Sequence, residues 1–374
     1  MTRLVLIGGG HAHLFVLREL ARRRPAGIEV TLVTPYERQL YSGMVPGWIA
    51  GHYTLDDLAI PLQPLAQAAS AQLLVDRIVA LDPIAREAMT ARGETLSFDL
   101  ISLAAGSEIP TTIEGTDHWA VPVRPLEPFV TTWSLLGPRL AEADRPCITV
   151  VGAGAGGVEI ALAIAYAMRA AGNGTQIHLI GGGALLPGHG ERARELVRAS
   201  LVQAQVRLLD STVVRIDSDH VDLSEGASLP SDLTVLAYGA APAPWIAASG
   251  LQPDDSGFIA VDRALRSVSH SSVFAAGDLA SIVGSPQPRS GVYAVRAGPL
   301  LADNLIRQLQ GAPLRSARGQ RAALYLLATG PQRAIASWST LAWSGQWVWR
   351  WKDRIDRRFI ARFNTPAAGV QLKE

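Results

Sequence analysis

The sequence predicts an α/β chain in which two βαβ units are nested and a helix-containing segment closes the carboxyl terminus, and three observations point there. Leu4 to Leu20 and Ile148 to Met168 share one pattern: a short run rich in leucine and β-branched residues, a glycine cluster, then apolar residues at helical spacing. Each is followed by a second strand-like run, Ile28 to Val33 and Gln176 to Ile180, closing a unit of about 30 residues. Three further runs precede glycines and are too short for helices: Asp99 to Ala105 before Gly106, Asp232 to Ala237 before Gly239, and Val273 to Ala276 before Gly277.

At 374 residues the chain exceeds what one hydrophobic core usually supports. Proline-bearing connections around Pro110, Pro122 to Pro128 and Pro242 to Pro244 put boundaries near 113 and 239. The expected layout is a first domain of residues 1–113 and 239–312, an inserted domain of residues 114–238, and a C-terminal segment of residues 313–374.

Composition narrows the function. With 48% hydrophobic and 18% charged residues the chain is a folded globular protein. Thirty-four Lys plus Arg against 33 Asp plus Glu leave a net charge of +1, so no global basic field exists to hold nucleic acid. Cys147 is the only cysteine, which excludes an intramolecular disulfide, a dithiol redox centre and a Cys-rich metal site, and its apolar setting suggests a buried structural thiol. The four apolar residues before the first glycines are too few for a signal peptide, and no uncharged apolar stretch reaches a membrane span. A cytoplasmic protein is expected, unless something holds it at the inner face of the cell membrane.

Taken in order, Gly8-Gly9-Gly10-His11-Ala12-His13 supplies the first two glycines of a G-x-G-x-x-G turn, one for the bend and one for backbone approach to a pyrophosphate at the helix N-terminus. His13 replaces the third glycine. Thr34 stands where many such folds carry a ribose-binding carboxylate. His11 and His13 have the spacing of a metal pair, but no third ligand is recognisable nearby, so no metal is expected and they read as cofactor-adjacent or packing residues. The second turn, Gly152-Ala153-Gly154-Ala155-Gly156-Gly157, is complete, with its strand before it and a helix after. Its second strand runs into Gly181-Gly182-Gly183, again without a carboxylate, while Arg192 and Arg194 could meet a 2′-phosphate or sit on a solvated helix face. Glu159 lies in the first turn of the phosphate-facing helix, where the helix dipole favours a negative charge with or without chemistry. Two Rossmann-like dinucleotide-binding domains follow from these turns.

In the C-terminal segment Trp338, Trp343, Trp347, Trp349 and Trp351 are followed by Arg350, Lys352, Arg354, Arg357, Arg358 and Arg362. Trp347, Trp351, Ile355, Phe359 and Phe363 recur every fourth residue and predict one apolar stripe on a helix. That stripe serves either packing on the first domain or a second subunit, or peripheral membrane contact through residues 338–363.

The two turns, Leu103-Ala104-Ala105-Gly106-Ser107 and Val273 to Asp278 together resemble the two-dinucleotide flavoprotein superfamily of pyridine nucleotide-disulfide oxidoreductases. The chain looks most similar to its type II NADH dehydrogenase and apoptosis-inducing-factor branch. It is more similar still to the flavoprotein module fused to selenide, water dikinase, through Gly8 to His13, Tyr41-Ser42-Gly43-Met44-Val45-Pro46-Gly47 and Trp347 to Phe363. The resemblance spans residues 4 to about 363. It implies FAD in the first fold, held by Gly8, Gly9, Gly10, His11, His13, Thr34, Ala105, Gly106, Gly239, Gly277 and Asp278, with Ala294 in the helix covering the flavin ring and Asp278 bonding the ribityl chain. It implies NAD(P)H in the second, on Gly152, Gly154 and Gly157, with Glu159 as the catalytic candidate near the nicotinamide. Tyr41 and Met44, in the place of the dithiol pair of relatives, are expected either to line the open flavin face or to pack within their loop; with no cysteine pair there, disulfide reductase and sulfide:quinone chemistry are excluded, and Arg296 and Ala297 replace the glutamines expected around a quinone. The leading reading is an FAD-dependent NAD(P)H dehydrogenase with a quinone-like, small-molecule or protein electron acceptor. The alternatives are an NAD(P)H sensor of poor turnover, linked to selenium metabolism, and a ferredoxin or rubredoxin reductase.

Overall fold

The computed structural model describes residues 1–285, 287–317 and 323–364. Strand β1 (Thr2–Ile7), helix α1 (His11–Arg23) and strand β2 (Ile28–Thr34) form the first βαβ start, extended by β3 (Ala71–Val75) and β4 (Leu100–Leu103). The chain then builds β5 (Ala120–Pro122), α2 (Leu126–Glu142), β6 (Cys147–Val151), α3 (Ala155–Ala171), β7 (Gln176–Ile180), α4 (Glu191–Gln203), β8 (Val206–Leu209) and β9 (Leu233–Leu236). It returns through β10 (Val273–Ala275) and α5 (Gly291–Leu309), and ends in the hairpins of β11 (Leu324–Ala328), β12 (Ala334–Trp338) and β13 (Leu341–Gly345) and in helix α6 (Gln346–Asn364).

The first sheet runs β10-β4-β1-β2-β3 and the second β5-β9-β6-β7-β8, both parallel throughout. Parallel strands covered on both faces are apolar without alternation, which is why Leu4 to Ile7, Leu100 to Leu103 and Leu233 to Leu236 are buried at every position. The late return of β10 beside β4 shows that the second sheet interrupts the first. Helix α1 lies on α5, where a Cβ on Gly298 would run into the Phe15 ring; glycine is what lets the two helices meet. Cys147, expected to be buried, opens β6 half-buried and free, because the first residue of a strand sits at the sheet's rim.

The predicted stripe of α6 is corrected. Trp347, Trp351 and Ile355 are 54%, 40% and 41% exposed, and only Phe359 and Phe363 of the five are buried. The buried seam is Val348, Lys352, Asp356, Phe359, Ile360 and Phe363. A fourfold step overshoots the helical repeat by about 40°, so five residues spaced by four wind about 160° around the helix and cannot share a face. The true seam corrects that drift with a three-residue step, and it carries two charges.

Candidate functional site

Gly8 takes φ +91°, and a Cβ there would lie 2.5 Å from Ala105 Cα, while one on Gly10 would meet the Ala104 carbonyl oxygen. The two glycines let β1 turn into α1 directly beneath the strand-end segment that follows β4. His13, in the third-glycine position, is fully buried: its Nδ1–H donates to the Gly8 carbonyl at 2.6 Å, and its Nε2 accepts from Ser102 Oγ at 2.9 Å. A carbonyl only accepts, so this pattern requires the neutral Nδ1–H tautomer, and burial lowers the pKa to about 4. His13 is therefore a bolt between helix and sheet. In the second fold Gly157 serves the same joint by close approach, since a Cβ would strike the Gly152 carbonyl.

Above the first turn lies a cavity of about 480 Å³, within the range of cofactor pockets. Gly8, Gly9, Gly10, His11, Thr34, Ala105, Gly106, Gly277, Asp278 and Ala294, singled out from five separate stretches of sequence, all line it. Helix α1 points its unsatisfied N–H groups toward that space, with Gly10 as an N-cap lacking any side-chain bond. Arg124 lines the cavity as well: Nη1 donates to Ser107 Oγ at 2.9 Å and to Asp278 Oδ2 at 3.2 Å, and Nη2 donates to the Gly239 carbonyl. Sequence reading passed over Arg124 because it lies in a proline-bearing connection, and only the fold carries it to Ser107, Asp278 and Gly239. The structure thus places Gly239 behind Arg124 and gives Asp278 a cationic partner.

Tyr41 and Met44 stand apart from that lining. Met44 is fully buried, and Tyr41 stacks on Phe359 at 4.5 Å between ring centroids and donates to Asp356 Oδ1 at 3.2 Å. Burial, with Asp356 beside it, raises the Tyr41 pKa and keeps the phenol neutral. His11 bridges the two regions, lining the cavity with its ring against Tyr41 and Phe359; burial lowers its pKa to about 4, and Nε2 has no hydrogen-bond partner among the described residues.

Behind Tyr41 is a buried charge cluster. Lys352 Nζ donates to the Gly43 carbonyl and to Asp356 Oδ2, both at 2.6 Å. Burial opposes its ammonium, but Asp356 and Glu159 outweigh burial and lift the Lys352 pKa above its ordinary value. Glu159, on α3, accepts the Ala328 N–H at 2.7 Å from β11; burial pushes its pKa up to about 7 against the pull of Lys352 and that N–H. Burial also raises Asp356, opposed by Lys352. One lysine thus bonds the turn at Gly43 and acts electrostatically on Glu159 in the helix that follows the second glycine turn. Lys352 and Asp356 were missed in sequence because the tryptophans implied a different packed face. Arg192 and Arg194 form intrahelical pairs with Glu195 and Glu191, each at 2.9 Å, the solvated-face alternative.

The histidines set an acid limit on stability. His11, His13, His178 and His189 all have lowered pKa values through burial, against exposed His220, raised by its bond to Asp219. A lowered histidine stays neutral when folded but takes up a proton unfolded, so its contribution is present above about pH 6.5 and is lost as pH falls, for His11 and His13 toward about 4. Glu159 and Asp356, raised by burial, act in the opposite sense over the same range, so thermal melts of Glu159→Gln should fall more steeply from pH 7 to 5 than those of the wild type; a flat series in that variant would contradict the burial of these rings.

The family model described as pyridine nucleotide-disulphide oxidoreductase matches residues 2–298. The chain belongs to that family. It is an oxidoreductase, with FAD and NAD(P)H as its cofactors. It is 27% identical over 300 residues to an NADH dehydrogenase-like protein of Mycobacterium tuberculosis (strain CDC 1551 / Oshkosh), covering 75% of this chain and 73% of that one. It is 25% identical over 342 residues to the mitochondrial internal alternative NAD(P)H-ubiquinone oxidoreductase A1 of Solanum tuberosum, covering 81% and 68%. Its fold is similar to that of the sulfide:quinone oxidoreductase of Aquifex aeolicus, with TM-score 0.81 and 17% identity over 97% of this chain and 92% of that one. That likeness concerns the fold alone: with one cysteine, at β6, this chain cannot form a redox cysteine pair.

Proposed function

We propose that the chain is an NAD(P)H dehydrogenase in which residues 1–113 and 239–312 hold FAD and residues 114–238 hold the nicotinamide nucleotide. The observation that carries this reading is the convergence of the first glycine turn, Thr34, Ala105 to Ser107 and Gly277-Asp278 on one cavity. FAD, when bound, supplies the hydride acceptor and passes the electrons onward. Gly8 to Gly10 and the N-terminus of α1 meet its diphosphate, Arg124 adds cationic charge, and Asp278 accepts from the ribityl hydroxyls. Gly152, Gly154 and Gly157 seat the nucleotide. Glu159, with a pKa of about 7, is poised to hold or release a proton beside the nicotinamide site, and Lys352 keeps its charge state tied to the flavin-side turn at Gly43. Anaerobic addition of NADH or NADPH to the purified yellow protein should bleach the flavin band, followed by rapid reoxidation with a quinone or dye. A colourless protein unable to take up FAD would end the reading.

A second reading, an NAD(P)H sensor of slow turnover, is supported by the packing of Tyr41 on Phe359 and Asp356 of α6 and by the burial of Met44, in the segment where the resemblance places the dithiol pair of relatives. A long-lived reduced complex with poor reoxidation would support it.

For the acceptor side, the exposed residues Trp338, Leu341 and Trp343 of β12 and β13 and Trp347, Trp351 and Ile355 of α6 support peripheral contact with an anionic bilayer, since Arg350, Arg354, Arg358 and Arg362 are exposed on α6. No helix among the described residues is long and apolar enough to cross a membrane. The protein should sediment with phosphatidylglycerol vesicles, and Trp347→Ser/Trp351→Ser should weaken that binding by about tenfold or more. If vesicles bind neither form while an acidic ferredoxin accepts electrons in a salt-sensitive way, the surface serves a protein acceptor instead.

A further inference from the structure

In a βαβ dinucleotide fold the strand after the glycine-turn helix ends beside the adenosine ribose, and a carboxylate there selects a free 2′-hydroxyl over a 2′-phosphate. Here that strand, β7, ends in Gly181-Gly182-Gly183, and packing shows why no acidic side chain stands at the first two positions. A Cβ on Gly181 would lie 2.6 Å from Ala153 Cβ, inside the glycine turn itself, and one on Gly182 would lie 2.7 Å from Thr212 Oγ1. Gly183 takes φ +141°, which L side chains rarely adopt.

The adjacent strand supplies what β7 cannot. Strand β8 ends at Leu209, whose carbonyl accepts the Gly181 N–H at 2.9 Å. The next residue, Asp210, is exposed and accepts the Gly183 N–H on Oδ1 at 3.3 Å. Its carboxylate shares that N–H with the Gly181 carbonyl, at 2.9 Å, and so lies at the end of β7, where the ribose of a bound nucleotide would lie. Glu225 adds a second negative charge nearby, accepting from Ser211 Oγ at 2.5 Å. The neighbouring guanidinium groups are committed elsewhere: Arg192 to Glu195, Arg194 and Arg198 to Glu191. Arg207 stands opposite His178 in the middle of β7.

We propose that Asp210 reads the adenosine ribose and makes the second fold select NADH over NADPH, an inference that rests on the nucleotide-binding reading above. A carboxylate accepts from the ribose hydroxyls and repels a 2′-phosphate, which carries close to two negative charges near neutral pH. The test is calorimetric titration of the FAD-loaded protein with NAD⁺ and with NADP⁺, which requires no turnover. The wild type should bind NAD⁺ at least about tenfold more tightly at low salt, and Asp210→Asn and Asp210→Ala should each shrink that ratio by about tenfold. Both variants alter an exposed side chain, and an unchanged melting temperature would show that they fold. Equal affinity for the two nucleotides in the wild type, or an unchanged ratio in both variants, overturns the assignment to Asp210 while leaving the nucleotide site standing. Failure to bind either nucleotide overturns the nucleotide-binding reading itself, and this inference with it.

Discussion

Lys352→Met is expected to lower folding stability by about 3–5 kcal/mol, the usual consequence of stripping one partner from a buried ion pair. Methionine keeps the apolar stem but leaves Asp356 Oδ2 without the 2.6 Å bond, the Gly43 carbonyl without its donor, and Glu159 without the positive charge that now restrains its pKa. The sign of the accompanying pH effect follows. Both carboxylates already lie above their ordinary pKa values because of burial, and losing the ammonium raises them further. A carboxyl whose folded pKa is raised contributes stability below its unfolded pKa and loses it as pH rises through the folded value. As pH rises between about 5 and 8 the variant should therefore lose more stability than the wild type, whose carboxylates act in the same sense but less strongly. Lys352→Met/Asp356→Asn should recover much of the loss, because the second change removes the stranded charge. Denaturant unfolding of the three proteins at two pH values reads all of this; an unchanged midpoint for the single variant would mean that the lysine is not the cluster's counter-charge.

Asp278→Ala should purify with little flavin and bind added FAD about tenfold to a hundredfold more weakly, the range expected for hydrogen bonds to a charged group in a cavity wall. Asp278 is placed for this by the turn after β10, one residue past Gly277 at φ +75°, and Arg124 holds its Oδ2. Arg124→Ala should reduce FAD retention too, through loss of the guanidinium in the cavity wall and of its bonds to Asp278 and Ser107. The double variant separates these contributions: if the Arg124–Asp278 contact itself matters, its loss should be smaller than the two single losses combined. The flavin-to-protein absorbance ratio and quenching of FAD fluorescence supply the readout. Full flavin content in Asp278→Ala would remove this residue from the site.

Legibility in the sequence tracked the range of the interaction. The glycine turns were readable because each glycine answers a local steric demand, as Gly8 does against Ala105 and Gly157 against Gly152. The strand-end runs were readable because parallel strands in a covered sheet are continuously apolar. Arg124 was hidden in a connection that only the fold carries past Asp278. The packed face of α6 was misread because aromatic residues dominate a periodicity count, while the interior accepts a lysine and an aspartate when they arrive together. His13 was open to two readings until its bonds to Gly8 and Ser102 were visible.

By itself the sequence determined that two nucleotide turns exist, that one interrupts the other, and that a single cysteine leaves no dithiol. These follow from steric and compositional rules acting within a few neighbouring residues. Only the tertiary structure decided that Lys352 bonds Gly43 and Asp356 and lies within electrostatic reach of Glu159, that Trp338, Trp343, Trp347 and Trp351 face outward, and that Asp210 stands beside the glycines of β7. Each of those depends on which distant elements share a surface, and the cost of burying or pairing a charge is set by the surroundings that packing creates.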